Sequence, residues 1–229
     1  MTLSPLKQFF VAAVLWLPMA FFLWFSFASP LVWPVIALAK LVLLHAWPSL
    51  FTAISQGADL VDATGHVLGH TGYLMQISSG VLVNAAPAGE PVHFGFLEPV
   101  INPMIYGYAL PLFAGLVMAT PLTGRRRLVE LGIGVPALWL TQAFGVVAES
   151  LKVIGIDAGS AGAEAVHRAG IPLELIALCY QFGYLILPAL VPAVLWIALN
   201  RPFIEAVTRA GGTEPARAIE VETRHPGVN

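Results

Sequence analysis

FFVAAVLWLPMAFFLWFSFA, residues 9–28, decides how this chain is read. It holds no charged side chain. About 20 helical residues rise about 30 Å, the thickness of a bilayer's hydrocarbon core. Three more stretches have the same character: 104–121 (MIYGYALPLFAGLVMATP), 128–148, whose only charge is Glu130, and 173–199, whose only charge is Glu174. Prolines 18, 111, 136, 188 and 192 fall inside these runs. Neighbouring helices can satisfy the carbonyls that they free. Residues 9–28 also have the layout of a signal peptide, with Lys7 ahead and Ser26-Phe27-Ala28 as a cleavage site. The apolar run exceeds the usual 7–15 residues, so a retained span is expected.

Composition agrees with the spans. Of 229 residues, 58% are hydrophobic and 10% charged, where a soluble domain carries about 25% charge. Mean hydropathy is +0.80. So little polar surface cannot cover a soluble domain of this length, and disorder needs the opposite composition. A net charge of −2 gives no basic field for nucleic acid. One cysteine excludes an intrachain disulfide framework and a cysteine-based metal cage.

Orientation follows from the basic residues. With a cytoplasmic N-terminus and four crossings, Lys7, Arg125, Arg126, Arg127, Arg201, Arg209, Arg217 and Arg224 lie inside, and only Lys40, Lys152 and Arg168 outside. Cytoplasmic loops favour Lys and Arg, so both termini are expected in the cytoplasm. Residues 31–47 (LVWPVIALAKLVLLHAW) are apolar but carry Lys40 near the middle. They are expected to lie in the outer interface, with Lys40 snorkelling and Trp33 and Trp47 at headgroup level. A re-entrant hairpin is the alternative.

Glycine-punctuated runs at 73–77, 81–83 and 92–97 read as short strands. The chain is therefore expected to be an all-α polytopic membrane protein of about four transmembrane helices, with an outer interfacial helix and a small β-rich periplasmic cap. The expected layout places the first span and interfacial helix in 1–48 and the cap in 49–103. Three spans follow in 104–201, with a basic link at 122–127 and an outer loop at 155–172 that includes a helix through 161–168. A disordered cytoplasmic tail occupies 202–229.

Polar residues within spans are expensive, so their positions carry information. Gln142, Gly145, Glu149 and Lys152 are spaced three, four and three apart, which puts them on one helical face. Glu174, Gln181, Tyr184 and Pro188 share a face by the same arithmetic. These two stripes, with Asn102 and Tyr106 at the head of the second span, form the candidate interhelical polar seam or docking groove for a partner. Ordinary interhelical packing is the rival reading, and Glu149 and Lys152 could simply pair. Cys179 stands near His167 and Arg168 in sequence, but a cysteine there also suits a small buried hydrophobe. His66, His70 and His93 could be a metal set. The i,i+4 spacing of the first two needs a helix, and Gly65, Gly69 and Gly72 argue against one. No catalytic residue, metal or cofactor is expected.

Longer strings carry a resemblance. VLWLPMAFFLWFSFASPLVWPV (14–35), NPMIYGYALPL (102–112), RRR (125–127) and YQFGYLILPALVPAVLWIALNRPFIE (180–205) resemble the exosortase H-associated membrane protein family of Gram-negative bacteria. The resemblance implies an inner-membrane accessory protein beside exosortase H, a transpeptidase-like membrane protease that processes proteins with a C-terminal IPTL-type sorting signal. Its implied partners are exosortase H, sorting-signal substrates and membrane lipids. It transfers no catalytic residues. The alternatives are a sorting protease using Cys179, Arg201 and His225, which the spacing of the first two opposes, and a small-molecule transporter, which lacks midplane charge.

Overall fold

The computed structural model describes residues 5–62, 64–84 and 94–209. Helix α1 (Pro5–Ser26) runs into α2 (Ala28–Ala46) through Phe27 alone. The Phe27 amide bonds the Leu23 carbonyl and the Leu31 amide bonds the Phe27 carbonyl, so the helical ladder nearly continues across the joint. The two helices barely touch, which rules out a hairpin between them. Of residues 31–47, where a re-entrant hairpin was the alternative, all but Trp47 belong to one unbroken helix. By length and composition α2 could cross a membrane.

Strands β1 (Phe51–Val61) and β2 (Val67–Ser79) form an antiparallel hairpin, and β5 (Val100–Ile101) adds to β2. A second small sheet pairs β3 (Leu82–Asn84) with β4 (Phe94–Phe96). The expected runs fall in β2, β3 and β4, while β1 was not foreseen. Its sequence, FTAISQGADLV, is polar and carries a central glycine. Gly57 there adopts φ 92°, a bend that only glycine makes at little cost. In the hairpin turn, Asp62 accepts bonds from the Thr64 hydroxyl and from the amides of Thr64 and His66. The Thr64 hydroxyl leads in holding the Asp62 carboxyl below its ordinary range.

Helices α3 (Met104–Gly107) and α4 (Ala109–Ala119) replace the expected span at 104–121. Residues 104–119 make about 24 Å of helix, which is shorter than a usual span. Among the described residues, four helices are long and apolar enough to cross a membrane: Leu6–Ser26, Ala28–Ala46, Gly124–Asp157 and Leu173–Leu199.

Helix α5 (Gly124–Lys152) continues through a π turn, Val153–Asp157, into α6 (Gly159–Arg168). Helix α7 (Leu173–Gln181) continues through a second π turn, Phe182–Ile186, into α8 (Leu187–Leu199). Pro188 accounts for that turn locally: it has no amide to offer the Tyr184 carbonyl, and its ring crowds it. A final helix, α9, covers 201–209, within the region read as tail.

The elements form two layers along α5. In the first, α4 packs between α1, α5 and α8 around Phe113, Val117 and Leu138. In the second, α2 packs on the far half of α5 through Val146, Leu151 and Ile154, and on the sheet through Phe51, Ile54, Met75 and Ile77. The continuous helix Gly124–Asp157 is about 51 Å long. A hydrocarbon core of about 30 Å cannot contain it, so one end stands outside.

Candidate functional site: a polar seam where two π turns meet α3

Asn102 begins the seam in the turn before α3, its side-chain oxygen accepting the Met104 amide at 3.1 Å. This delivers Tyr106 into the interior, 1% exposed. Its ring lies on Gly145, where a Cβ would collide with it, and Gly183 of the second π turn approaches the same point. Glycines on α5 and the π turn thus bring two backbones close enough to clasp Tyr106. Gln142, 2% exposed, donates to the Pro103 carbonyl at 3.1 Å.

Above Tyr106 the seam becomes charged. Its hydroxyl and the Glu149 carboxylate face each other within electrostatic reach. Tyr106 Oη and Glu149 Oε2 are both buried and interact with each other, without the close, aligned geometry of a strong hydrogen bond. Lys152 does not pair with Glu149 as its spacing allowed. Its ammonium donates to Asp157 at 2.7 Å and sits 5.2 Å from the centre of the Tyr180 ring. The first π turn places Asp157 there. Tyr180 stacks on Tyr184 at 5.7 Å, and Tyr184 meets Tyr106 edge-on at 6.1 Å.

Of the candidates, Asn102, Tyr106, Gln142, Glu149, Lys152 and Tyr184 therefore lie along one seam. Gln181 and Glu174 do not join it. Gln181 is exposed, and Glu174 lines a separate cavity of about 730 Å³ with Glu164 and His167. Asp157, Tyr180 and Gly183 were missed. Only the four-residue spacing of Tyr180 and Tyr184 signalled a shared face.

A second polar cluster, at the opposite end of α5, was also missed. Glu130, 3% exposed, accepts from Arg126 at 3.2 Å and from the buried Asn200 at 2.9 Å. Arg126 also reaches the Leu199 carbonyl, Arg127 the Thr120 carbonyl, and the Trp196 indole donates to the Thr120 hydroxyl. Together they tie the α4–α5 link to the end of α8. The sequence signal was the four-residue step from Arg126 to Glu130.

The remaining candidates do not assemble. Cys179 lines a small groove of about 150 Å³ whose walls are apolar, among them Phe144, Leu151 and Ile176. His70 pairs with Asp59 at 2.9 Å and His66 sits in the hairpin turn. His93 is outside the described residues, among which no three His, Cys, Asp or Glu side chains are grouped to hold a metal.

A family model described as exosortase H-associated membrane protein matches residues 3–203, which include the whole seam and the Glu130 cluster. The chain belongs to that family. No curated protein and no solved structure matches it. Membership and the apolar helices together make this member of the exosortase H-associated family a multi-pass membrane protein.

Proposed function

We propose that this protein is a non-enzymatic accessory or scaffold for exosortase H in the bacterial inner membrane, serving the processing of proteins with a C-terminal IPTL-type sorting signal. Family membership supports the partner. The surroundings of Cys179 support the non-enzymatic role: among the described residues, the groove that the one cysteine lines is walled by apolar groups and holds no base. A nucleophilic thiol needs an adjacent base or cation to form its thiolate. Arg201 lies beyond the opposite end of α8, about 33 Å away along the helical axis.

Four crossings, α1, α3–α4, α5 and α7–α8, would put both termini on the same side, and the distribution of basic residues supports the cytoplasm as that side. The short α3–α4 segment is held to α5 at both of its ends. Gln142 holds the Pro103 carbonyl at one end, and Arg127 holds the Thr120 carbonyl at the other. Because α2 continues away from α1 without turning back, it adds no return crossing. The basic residues support this orientation. Arg126 reaches the end of α8, and Phe9 near the N-terminus packs on Trp196 and Phe203, so this end gathers Lys7, Arg125–Arg127 and Arg201. On this reading the seam and sheet are periplasmic or interfacial.

The test is co-purification of the tagged full-length protein with exosortase H, together with sorting-signal processing in a Cys179→Ala strain. The accessory reading expects retention of exosortase H and near-normal processing. Normal protein levels with processing lost by orders of magnitude would make Cys179 a nucleophile.

A further inference from the structure

We propose that the arginine rim where α5 begins and α8 ends binds the phosphate of an anionic phospholipid, whose acyl chains lie on the exposed aliphatic side chains next to it. The proposal needs a membrane protein and does not depend on the accessory role.

Arg126 donates to the Leu199 carbonyl at 3.1 Å and so ties the start of α5 to the end of α8. Arg125 stands one residue before that tie, and Arg201 two residues after it. The packing of Phe9 on Trp196 and Phe203 brings the N-terminal turn with Lys7 to the same end. Carboxylates do not balance this charge. Glu130 accepts from Arg126 and Asn200, and Glu205 is paired with Arg209 at 3.1 Å. Arg127 donates to the Thr120 carbonyl, which is neutral. Among the described residues, no carboxylate pairs with Arg125, Arg127 or Arg201. Arg125 and Arg201 are exposed, so an anion can reach both.

What surrounds the arginines selects a lipid. Leu128 and Val129 follow Arg125 by three and four residues, which sets them on the adjoining turn of the same side of α5. Both are exposed. Ile197 and Val194, also exposed, stand one and two turns before Arg201. Each arginine without a carboxylate therefore has bare aliphatic surface beside it on the membrane side. A phospholipid has the same order, a phosphate above apolar chains, whereas a free phosphate gains nothing from the aliphatic part. Guanidinium groups match a phosphate with paired donors. Each Lys or Arg held near an anionic leaflet strengthens attraction about fivefold.

The experiment delipidates the full-length protein in detergent and titrates it with phosphatidylglycerol, with phosphatidylcholine of the same chains, or with inorganic phosphate. Melting temperature gives the affinity, and native mass spectrometry counts the bound lipid. Phosphatidylglycerol should raise the wild-type melting temperature by several degrees, and the other two should not. Arg125→Gln combined with Arg201→Gln should keep the lipid-free melting temperature and bind phosphatidylglycerol about twentyfold more weakly. Arg125→Lys combined with Arg201→Lys should keep most of the binding, and Arg168→Gln, beyond the far end of α5, should bind as the wild type does. Equal shifts with the two lipids, or undiminished affinity in the double glutamine variant, overturn the proposal. So does a loss in Arg168→Gln that matches the double variant, which would make the effect one of net charge. An equal shift with inorganic phosphate would make the rim a free-anion site, against the proposal. If phosphatidylglycerol has no effect and the double glutamine variant instead fails to co-purify exosortase H, the occupant is an acidic protein surface, which overturns it as well.

Discussion

Replacing Asn200 by Ala tests the Glu130 cluster. The Asn200 side chain is wholly buried and its amide donates to Glu130 Oε2 at 2.9 Å and to the Trp196 carbonyl at 3.1 Å. The Glu130 side chain is 4% exposed, so water cannot take the place of the lost donor. A bond to a charged group contributes about 1.5–3 kcal/mol. Asn200 Oδ1 is itself buried without a partner, and its removal relieves about 1 kcal/mol of that loss. The net cost is about 0.5–2 kcal/mol, or about 1–8 °C in melting temperature for a chain of this size. Arg126 also bonds Glu130, but its side chain is 47% exposed. Half-exposed pairs contribute about 0–1 kcal/mol, so Arg126→Ala should cost less than Asn200→Ala. Asn200→Asp keeps the shape and sets a second carboxylate against Glu130, so it should be the worst of the three. Thermal unfolding in detergent, followed by tryptophan fluorescence, ranks them. Asn200→Asp as stable as wild type, or Arg126→Ala worse than Asn200→Ala, would refute the assignment of Asn200 as the buried donor that holds α8 to α5.

Glycine substitutions separate close packing from helix propensity. A Cβ at Gly183 would lie 3.0 Å from Gly145 Cα and 3.4 Å from the Phe144 ring, so Gly183→Ala should lower stability by about 1–3 kcal/mol. A Cβ at Gly132 meets nothing within 4 Å, and Gly132→Ala should be neutral or stabilising by up to about 1 kcal/mol. Equal melting temperatures for the two would remove Gly183 from the seam's packing. Orientation can be read by thiol labelling in a Cys179→Ala background: an impermeant reagent added to intact spheroplasts should modify Thr64→Cys and spare Gly124→Cys. The reverse pattern inverts the topology.

The sequence by itself determined that this chain lives in a bilayer, where three of its four long apolar helices run, and which polar residues share a face of α5. Those properties depend on composition and on the 3.6-residue period, both local to the chain. Gln142, Gly145 and Glu149 were legible for that reason. The tertiary structure decided what meets that face. Gln181 and Glu174 have the right spacing on paper, but a π turn changes the helical phase after Gln181, and Tyr180 with Tyr184 faces the seam instead. Lys152 was one turn from Glu149, yet another π turn brought Asp157 to it first. Strand β1 was hidden because a sheet residue's role is set by its partner strand, here β2, and not by its own polarity. The Glu130 cluster joins residues about 70 positions apart. Buried hydrogen bonds of that range are fixed by how helices stack, and no period within the chain announces them.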